Sequence, residues 1–357
     1  MRTSLTPGQN QTSTEPAGFA DNGDPRAHIL ALLSGTWKFT ALHAFVDLRC
    51  ADHLQSGPLT IEELADRCQA DPTSLGRLLR TAAALHLVAT VRPGTYALTD
   101  AGTLLCTTSM DSMRPGVVVM GEPTSWEAMG TLAQTVRTGT SPIAAAHGSL
   151  YEYYHRRPEL LQAFEAWMTS RSRAFAESLV AAHDFTGVRT VADVGGGNGT
   201  ILAAILEAHP QTSGILFELD QVLPGAKSYL TSRGIAERCD LVAGDFFTAV
   251  PAGADVYVLA NVVHNWDDED ALRILRAVRD AMTGGSRALF LDYLLPDDDQ
   301  PHFGKFMDMR MLALFGGGRE RTHAEYLALL DRAGLRADHI TALPVGAGLI
   351  QASRLPD

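Results

Sequence analysis

The spacing of apolar residues predicts two helices near the start of the chain. Between residues 26 and 52 the apolar side chains recur at the spacing of one helical face, with a break expected near Gly35. These positions are Ile29, Leu32, Leu33, Trp37, Leu42, Phe45 and Val46. The preceding residues 1–24 are polar and rich in Pro, Gly, Ser and Thr, which is typical of a disordered tail.

The next part of the chain alternates helical and hairpin signals. Thr60 and Glu63 form a capping-box pattern that predicts a helix over Ile61–Cys68. A second helix is expected over 71–86 and a β-hairpin over 87–98, around an Arg-Pro-Gly turn. Helix, helix and hairpin in this order are typical of a winged helix.

A winged helix serves either DNA binding or packing and dimerisation. Residues 56–100 contain four basic and five acidic side chains, whereas a DNA-reading helix normally lies in a basic patch. The whole chain of 357 residues has a net charge of -12, so nucleic acid and anionic membranes are not expected partners. We find no apolar run approaching the ~18 residues of a membrane span. Four well-separated cysteines favour a reducing, cytoplasmic setting without a disulfide framework or a thiolate metal site.

The pattern then predicts a change of fold class along the chain. Residues 111–182 are expected to be mainly helical, and after about residue 188 strands and helices alternate, which indicates an α/β open sheet with parallel strands. We therefore expect a tail over 1–24, a winged-helix domain over 25–110, a helical linker over 111–182 and an α/β domain over 183–357. Ligands of such sheets bind at the carboxyl ends of the strands.

Candidate binding motifs follow three of the predicted strands. The loop 193–199 (Asp-Val-Gly-Gly-Gly-Asn-Gly) lets a ligand approach the backbone, but Thr200 replaces the third glycine of a dinucleotide fingerprint. Glu218 ends the next strand, where a carboxylate would accept from a ribose diol or would simply be solvated. Asp245 and Phe246 would accept from an exocyclic amine and stack a purine, although Phe246 alone is more typical of a core residue.

Taken with two later segments, these motifs resemble one enzyme family. The segments are 262–268 (Val-Val-His-Asn-Trp-Asp-Asp) and 318–322 (Gly-Arg-Glu-Arg-Thr). The chain resembles the S-adenosylmethionine-dependent O-methyltransferases of the plant caffeate and bacterial natural-product type, from about residue 28 to 354. The resemblance implies a Rossmann-like class I methyltransferase domain behind a mostly helical winged-helix dimerisation domain, and a cytoplasmic homodimer.

The resemblance also implies roles for individual residues. S-adenosylmethionine would be bound by Asp193, Gly195, Gly197, Glu218, Asp245 and Phe246. His264 matches the family's general base, and Asp292 and Glu320 match the two acids that flank it. The acceptor pocket would include Met168, Trp266, Met307 and Met311. No metal is implied.

The chemistry explains why such a site needs a histidine. A phenol has a pKa of about 10, so a neutral imidazole with a pKa of about 6.5 can take its proton as attack begins. Each assignment has a structural alternative: His264 as a hydrogen-bonded strand-end residue, Asp292 as a solvated acid, and Glu320 as an ion-pair partner of a neighbouring arginine. The stripe that contains Met307 and Met311 also includes Phe303, Phe306 and Phe315, and such a stripe is more often part of a core than a pocket wall.

Three functions are therefore weighed. The first is methyl transfer to a hydroxyl, expected to be phenolic, on a small aromatic or polyketide-like secondary metabolite, as in antibiotic biosynthesis. The second is an enzyme that keeps the cofactor but catalyses a hydroxylation or a pericyclic step. The third is a winged-helix DNA-binding regulator, which the acidic charge disfavours.

Overall fold

The computed structural model describes residues 24–148, 150–344 and 346–356. The tail predicted for residues 1–24 therefore falls, apart from Asp24, outside the described residues. The chain divides into two compact units, Met1–Gly121 and Glu122–Asp357. The boundary after Gly121 lies within the predicted helical linker, 111–182, rather than at either of its ends.

From residue 24 onward, the first unit contains six helices and a small sheet. Its helices are α1 (Pro25–Asp47), α2 (Cys50–Leu54), α3 (Ile61–Cys68), α4 (Pro72–Ala84), α5 (Asp100–Thr103) and α6 (Arg114–Gly121). Its strands are β1 (Leu59–Thr60), β2 (Val88–Arg92) and β3 (Thr95–Leu98), in the order β1-β3-β2. The predicted capping box is present, because the Thr60 hydroxyl accepts from the Glu63 N–H while the Glu63 carboxylate accepts from the Thr60 N–H. The winged-helix prediction is confirmed, with β1 as an additional strand.

Helix α1 differs from the prediction in two ways. The break expected near Gly35 is wrong: the helix continues through it, because one glycine costs only about 1 kcal/mol and no proline or capping residue ends the helix there. The expectation that no segment is long and apolar enough to span a membrane is also corrected, since Pro25–Asp47 meets that criterion by length and composition. A single such helix is weak evidence for a membrane segment. Its large apolar side chains between residues 29 and 37 are exposed, including Leu32 and Trp37 at 63% and 64%, whereas Phe45 and Val46 near its end are buried.

The second unit begins with helices, as the sequence predicts. They are α7 (Pro123–Gly130), α8 (Leu132–Thr138), α9 (Pro142–His147), α10 (Leu150–His155) and α11 (Pro158–Ala182). Helix α11 begins at the proline expected in its first turn, where the missing N–H has no helical partner to lose.

A seven-stranded sheet forms the centre of this unit. Its strands are β4 (Thr190–Val194), β5 (Ser213–Glu218), β6 (Cys239–Ala243), β7 (Val256–Ala260), β8 (Arg287–Asp292), β11 (Leu335–Ala342) and β12 (Gly348–Arg354). The helices between or beside them are α12 (Thr200–Ala208), α13 (Leu223–Ser232), α14 (Asp268–Ala281), α15 (Phe303–Leu314) and α16 (His323–Ala333). The short strands β9 (Leu294–Leu295) and β10 (Arg321–Thr322) pair with each other in parallel.

The strand order places the site. It is β11-β12-β8-β7-β4-β5-β6, and the five strands from β8 to β6 are parallel, as predicted. The antiparallel addition of β12 to β8 and of β11 to β12 was not predicted. The direction of chain progression reverses at β4, and ligands of open α/β sheets bind beside such a reversal. Apolar clusters cover both faces of the sheet, so the polar groups that a ligand can reach lie at the carboxyl ends of the strands.

Candidate active site

The glycine loop leaves β4 in a conformation that needs glycine. Gly195, Gly197 and Gly199 have φ values of 68°, 59° and 82°, a region that only glycine enters without strain. The Gly195 N–H donates to the Phe217 carbonyl at 2.8 Å, which ties the loop to the neighbouring strand β5. Helix α12 then begins at Thr200, so its first N–H groups point toward the same edge of the sheet.

Asp193 lies beneath this loop. Its side chain is buried, and a Cβ placed on Gly196 would come within 2.4 Å of its carboxylate and 2.6 Å of the Leu216 side chain. Burial, with a smaller contribution from the charge of Glu218, raises the pKa of Asp193 to about 7. The predicted binding residue Asp193 therefore supports the loop from its inner side, and Gly196 is the residue that leaves room for it.

Three further predicted residues lie at or just after the ends of β5 and β6, and two of them, Glu218 and Phe246, lie against the loop. The Glu218 carboxylate accepts from the Leu219 N–H at 2.5 Å; burial raises its pKa, while hydrogen bonds from the Leu219 and Gly197 N–H groups act in the opposite direction. The exposed Asp245 accepts from the Phe247 N–H at 2.9 Å, which fixes the turn after β6. The Phe246 ring would lie 3.3 Å from a Cβ on Gly195.

Gly197 faces the space between these groups, because no atom of the described residues lies within 4 Å of a Cβ built there. The structure thus brings a carboxylate, an aromatic ring and a bare stretch of backbone to one opening.

His264 lies in a short 3₁₀ turn, Val263–Asn265, after β7, and its side chain is buried. Its Nδ1 is 2.8 Å from Oε1 of Glu320, which is also buried. Because a carboxylate accepts the hydrogen bond, the proton belongs on Nδ1, and Nε2 keeps its lone pair. Burial alone would lower the pKa of His264, but the charge and hydrogen bond of Glu320 outweigh it, and the pKa is raised. The predicted pair of His264 and Glu320 is therefore in direct contact.

Backbone and side-chain contacts hold this pair in place. The Arg319 N–H donates to the His264 carbonyl, and the Glu320 N–H donates to Asp308 on α15, both at 2.8 Å. The buried guanidinium of Arg321 donates to the Val263 and Trp266 carbonyls and to Asp268. The sequence left open an ion pair between Glu320 and a neighbouring arginine. Arg321 instead pairs with Asp268, and Glu320 contacts His264.

Asp292 is close to the pair but bonded differently. Its Oδ2 accepts from the Tyr326 hydroxyl at 2.9 Å, and Oδ1 has no hydrogen-bond partner in the part of the chain that the structure describes. Burial raises the pKa of Asp292 to about 6, against the opposing charge of His264. The structure shows no hydrogen bond between Asp292 and His264, so Glu320 is the acid that orients the imidazole.

A pocket opens beside His264 between helices α11 and α15. The lining residues are Phe164, Trp167, Met168, Arg171, His264, Asn265, Met307, Arg310, Met311 and Phe315. The structure thus brings Met168, Met307 and Met311 to the histidine, as predicted for a substrate wall. Trp266 is not among the lining residues: its ring packs against Phe247 and Phe246 at centroid distances of 4.7 and 6.0 Å.

The pocket also contains residues that the sequence analysis missed. Arg171 follows Phe164, Trp167 and Met168 at helical spacing, and Arg310 lies between Met307 and Met311. A cation inside an apolar helical stripe was the available signal. Phe303 and Phe306, part of the same predicted stripe, are exposed.

The chain belongs to the O-methyltransferase family. The O-methyltransferase domain of that family matches residues 129–336, and its dimerisation domain matches residues 30–108. The mitomycin biosynthesis 6-O-methyltransferase of Streptomyces lavendulae is 36% identical over 344 residues, which cover 96% of this chain and 97% of the relative. The aclacinomycin 10-hydroxylase RdmB of Streptomyces purpurascens is 35% identical, covering 87% of this chain and 86% of that protein.

Solved structures agree with this assignment. The crystal structure of LaPhzM superimposes with a TM-score of 0.86 at 33% identity, covering 92% of this chain and 99% of that one. NcsB1, an O-methyltransferase from neocarzinostatin biosynthesis crystallised with S-adenosylmethionine and 2-hydroxy-5-methyl naphthoic acid, has a TM-score of 0.74 at 31% identity, with coverage of 89% and 96%. The protein is accordingly an S-adenosylmethionine-dependent O-methyltransferase of natural-product biosynthesis, with an N-terminal dimerisation domain.

The residues at the glycine loop fit this cofactor. S-adenosylmethionine presents an amino-acid end, a ribose diol and an adenine ring. The opening at Gly197 offers backbone without side chains, the Glu218 carboxylate can accept from two hydroxyls, and the Phe246 ring offers an aromatic face.

Proposed function

We propose that the protein methylates a phenolic hydroxyl of an aromatic acceptor, with Nε2 of His264 as the general base. The contact of 2.8 Å between His264 Nδ1 and Glu320 is the observation that supports this most directly. This contact places the proton on Nδ1 and leaves the Nε2 lone pair available to accept a proton. His264 lines a pocket walled by methionine and aromatic side chains. Such walls suit a flat ring, because the thioether is polarisable and adapts its shape.

When bound, S-adenosylmethionine supplies an electrophilic methyl carbon, so that hydroxyl and sulfonium become methyl ether, thioether and one proton. His264 accepts that proton at Nε2, and a base of this kind contributes roughly 10²–10⁴-fold to the rate. Glu320 stabilises the imidazolium that results, through the hydrogen bond on Nδ1. Asp292, one strand away, adds negative charge near the same ring without bonding to it.

The cofactor is held, in this proposal, by the edge of the sheet around the glycine loop. Gly195 and Gly197 expose backbone to its amino-acid end, Glu218 accepts from the ribose hydroxyls, and Asp245 and Phe246 hold the adenine. Asp193 acts indirectly, because its buried carboxyl keeps the loop in place. Trp266 supports the adenine side through its contacts with Phe246 and Phe247.

We further propose that the exposed apolar face of α1 packs against a second copy of the chain. The match to a dimerisation domain supports this, together with the exposure of Leu32, Leu33 and Trp37. Large apolar patches of this kind mark interaction sites on proteins.

The base assignment is tested with His264→Ala. We expect kcat to fall at least about tenfold, because the proton acceptor is lost, while the Kd of S-adenosylhomocysteine changes by no more than about twofold. The assay follows labelled methyl from S-adenosylmethionine into a panel of hydroxybenzoates, hydroxynaphthoates and hydroxyphenazines. His339→Ala, which alters an exposed histidine on β11, is the matched control. Equal turnover by wild type and H264A would refute the assignment.

The hydroxylase among the relatives favours a second candidate function, in which the cofactor is retained without methyl transfer. The mass of the product distinguishes the two, since one adds a methyl group and the other an oxygen atom. In the presence of dioxygen and an added two-electron reductant, saturable cofactor binding without label transfer to any acceptor, accompanied by a product that gains one oxygen atom while the other leaves as water, would establish the second function.

A further inference from the structure

We propose that Arg171 binds a carboxylate on the aromatic acceptor, so that the enzyme selects hydroxyaryl carboxylates over the corresponding neutral phenols. This inference rests on the proposed function, because it assumes that the pocket beside His264 receives the acceptor. It adds the chemical class of the acceptor and the residue that recognises it.

The charge of the pocket lining is the first observation. Among the described residues that line it are two arginines, Arg171 and Arg310, and no Asp or Glu. The chain as a whole has a net charge of -12. Glu320 and Asp292 lie behind His264, outside the lining, so the positive charge is at the side of the pocket formed by the two arginines, and that side attracts anionic groups of a ligand.

The partners of Arg171 are the second observation. Its guanidinium is only partly exposed, and it donates to Oδ1 of Asn261 at 3.4 Å and lies 5.9 Å from the centroid of the Tyr293 ring. Within residues 24–148, 150–344 and 346–356, no Asp or Glu forms an ion pair with it. Other arginines of this unit do have such partners, for example Arg321 with Asp268. A cation drawn out of water gains most from a charged partner, and an acceptor carboxylate would supply one.

The position of Arg171 relative to the base is the third observation. Arg171 and His264 line the same pocket, and the charge of Arg171 lowers the pKa of His264, although Glu320 outweighs it. Asn261, which accepts from Arg171, also accepts through its carbonyl from the Asn265 side chain at 2.9 Å, and Asn265 follows His264. An acceptor that fills this pocket with its hydroxyl at His264 would therefore present its other substituents to the same lining that contains the guanidinium.

The chemistry of the guanidinium selects the ligand class. Its planar donors match the two oxygens of a carboxylate, whereas a lysine ammonium offers a point charge. Arg310 adds positive potential from the opposite helix, but its guanidinium lies over the Phe315 ring at 5.7 Å and hydrogen-bonds with Tyr154. We therefore assign the recognition to Arg171.

The test compares binding of matched probes to the full-length protein saturated with S-adenosylhomocysteine. The probes are 2-hydroxy-1-naphthoate and 3-hydroxy-2-naphthoate, each against 2-naphthol, and Kd is measured by titration calorimetry. We expect wild type to bind at least one carboxylate about tenfold or more tightly than 2-naphthol. Arg171→Met should abolish most of that preference while the Kd of 2-naphthol changes by no more than about twofold. Arg171→Lys should keep an intermediate preference, because it retains the positive charge but loses the planar pair of N–H donors.

Arg137→Met is the matched control, since Arg137 is exposed on α8 and should leave every Kd unchanged. Absence of a preference in wild type, including absence of binding by all three probes, would overturn the proposal. So would an equal loss of affinity for carboxylate and neutral probes in R171M, which would indicate a structural role or contact with the hydroxyl. Binding needs no turnover, so a carboxylate preference together with no methyl transfer to any acceptor of the full panel would contradict the proposed function while still showing that Arg171 recognises a carboxylate.

Discussion

Replacing Glu320 by glutamine removes one negative charge from the buried contact with His264 and changes little else. The two side chains have the same length, and the amide oxygen can still accept from Nδ1, so the 2.8 Å contact can persist. The backbone N–H of residue 320 keeps its bond to Asp308. The substitution therefore isolates the effect of the charge on the imidazole.

The magnitude follows from the kind of hydrogen bond. A bond to a charged group contributes roughly 1.5–3 kcal/mol and a neutral one roughly 0.5–1.5 kcal/mol. The difference of about 1–2 kcal/mol applies to the imidazolium, which exists only after the proton has moved, and corresponds to about a 5- to 30-fold loss of kcat. Both partners are buried, so solvent screens this interaction little.

The same substitution moves the pH profile in a defined direction. Glu320 raises the pKa of His264, and the protonated imidazole cannot act as a base. Without that charge the pKa of His264 falls, so the variant stays unprotonated at lower pH. The acid limb of kcat should therefore move to lower pH, and the deficit should be smaller at low pH than at high pH.

The assay is methyl transfer to the best acceptor of the panel, followed as S-adenosylhomocysteine formation between about pH 5 and 9. Glu269→Gln, the same chemical change on an exposed residue of α14, is the control and should leave the profile in place. An acid limb that stays fixed or moves to higher pH would refute the reasoning, as would an unchanged kcat.

Two further predictions concern the parts that support the site. Gly196→Ala should weaken S-adenosylhomocysteine binding by about tenfold or more, because its Cβ would meet the Asp193 carboxylate at 2.4 Å and displace the loop; calorimetry measures the Kd. Tyr326→Phe should lower Tm by about 3–8 °C, because it leaves buried Asp292 without its 2.9 Å hydrogen bond at a cost of roughly 1–3 kcal/mol; calorimetric unfolding measures it.

Each of these has its own control and refutation. Gly35→Ala, in an exposed stretch of α1 with open space around its Cβ, should leave cofactor affinity unchanged. Wild-type affinity in G196A would mean that the loop tolerates the displacement. A Tm for Y326F equal to wild type would mean that Asp292 finds another partner or binds a proton at no cost.

Local signals in the sequence were sufficient for much of the fold. The Thr60–Glu63 capping box, Pro158 in the first turn of α11 and the alternation after residue 188 all correspond to elements of the structure. These signals involve residues only a few positions apart, so the chain itself contains the interacting partners. Gly35 shows the limit of the approach, because whether a helix tolerates one glycine depends on the rest of the helix.

The β12 and β11 strands could not be predicted from spacing alone. Strand β12 pairs antiparallel with β8 and β11 pairs antiparallel with β12, and such pairing depends on which edge of the sheet remains free once the parallel strands have assembled. The exposure of Phe303 and Phe306 also depends on which elements pack together, and spacing alone does not give it. Their spacing matches that of Met307 and Met311, yet they are exposed while the methionines are buried.

The sequence by itself determined the class of enzyme, because its glycine loop and strand-end residues are local motifs whose order along the chain is enough to define a family. Only the tertiary structure decided which of those residues contact one another. It paired His264 with Glu320 across 56 positions, bonded Asp292 to Tyr326 instead, and turned Trp266 away from the pocket. Contacts between distant segments set these roles, since a side chain's partners depend on which elements pack beside it.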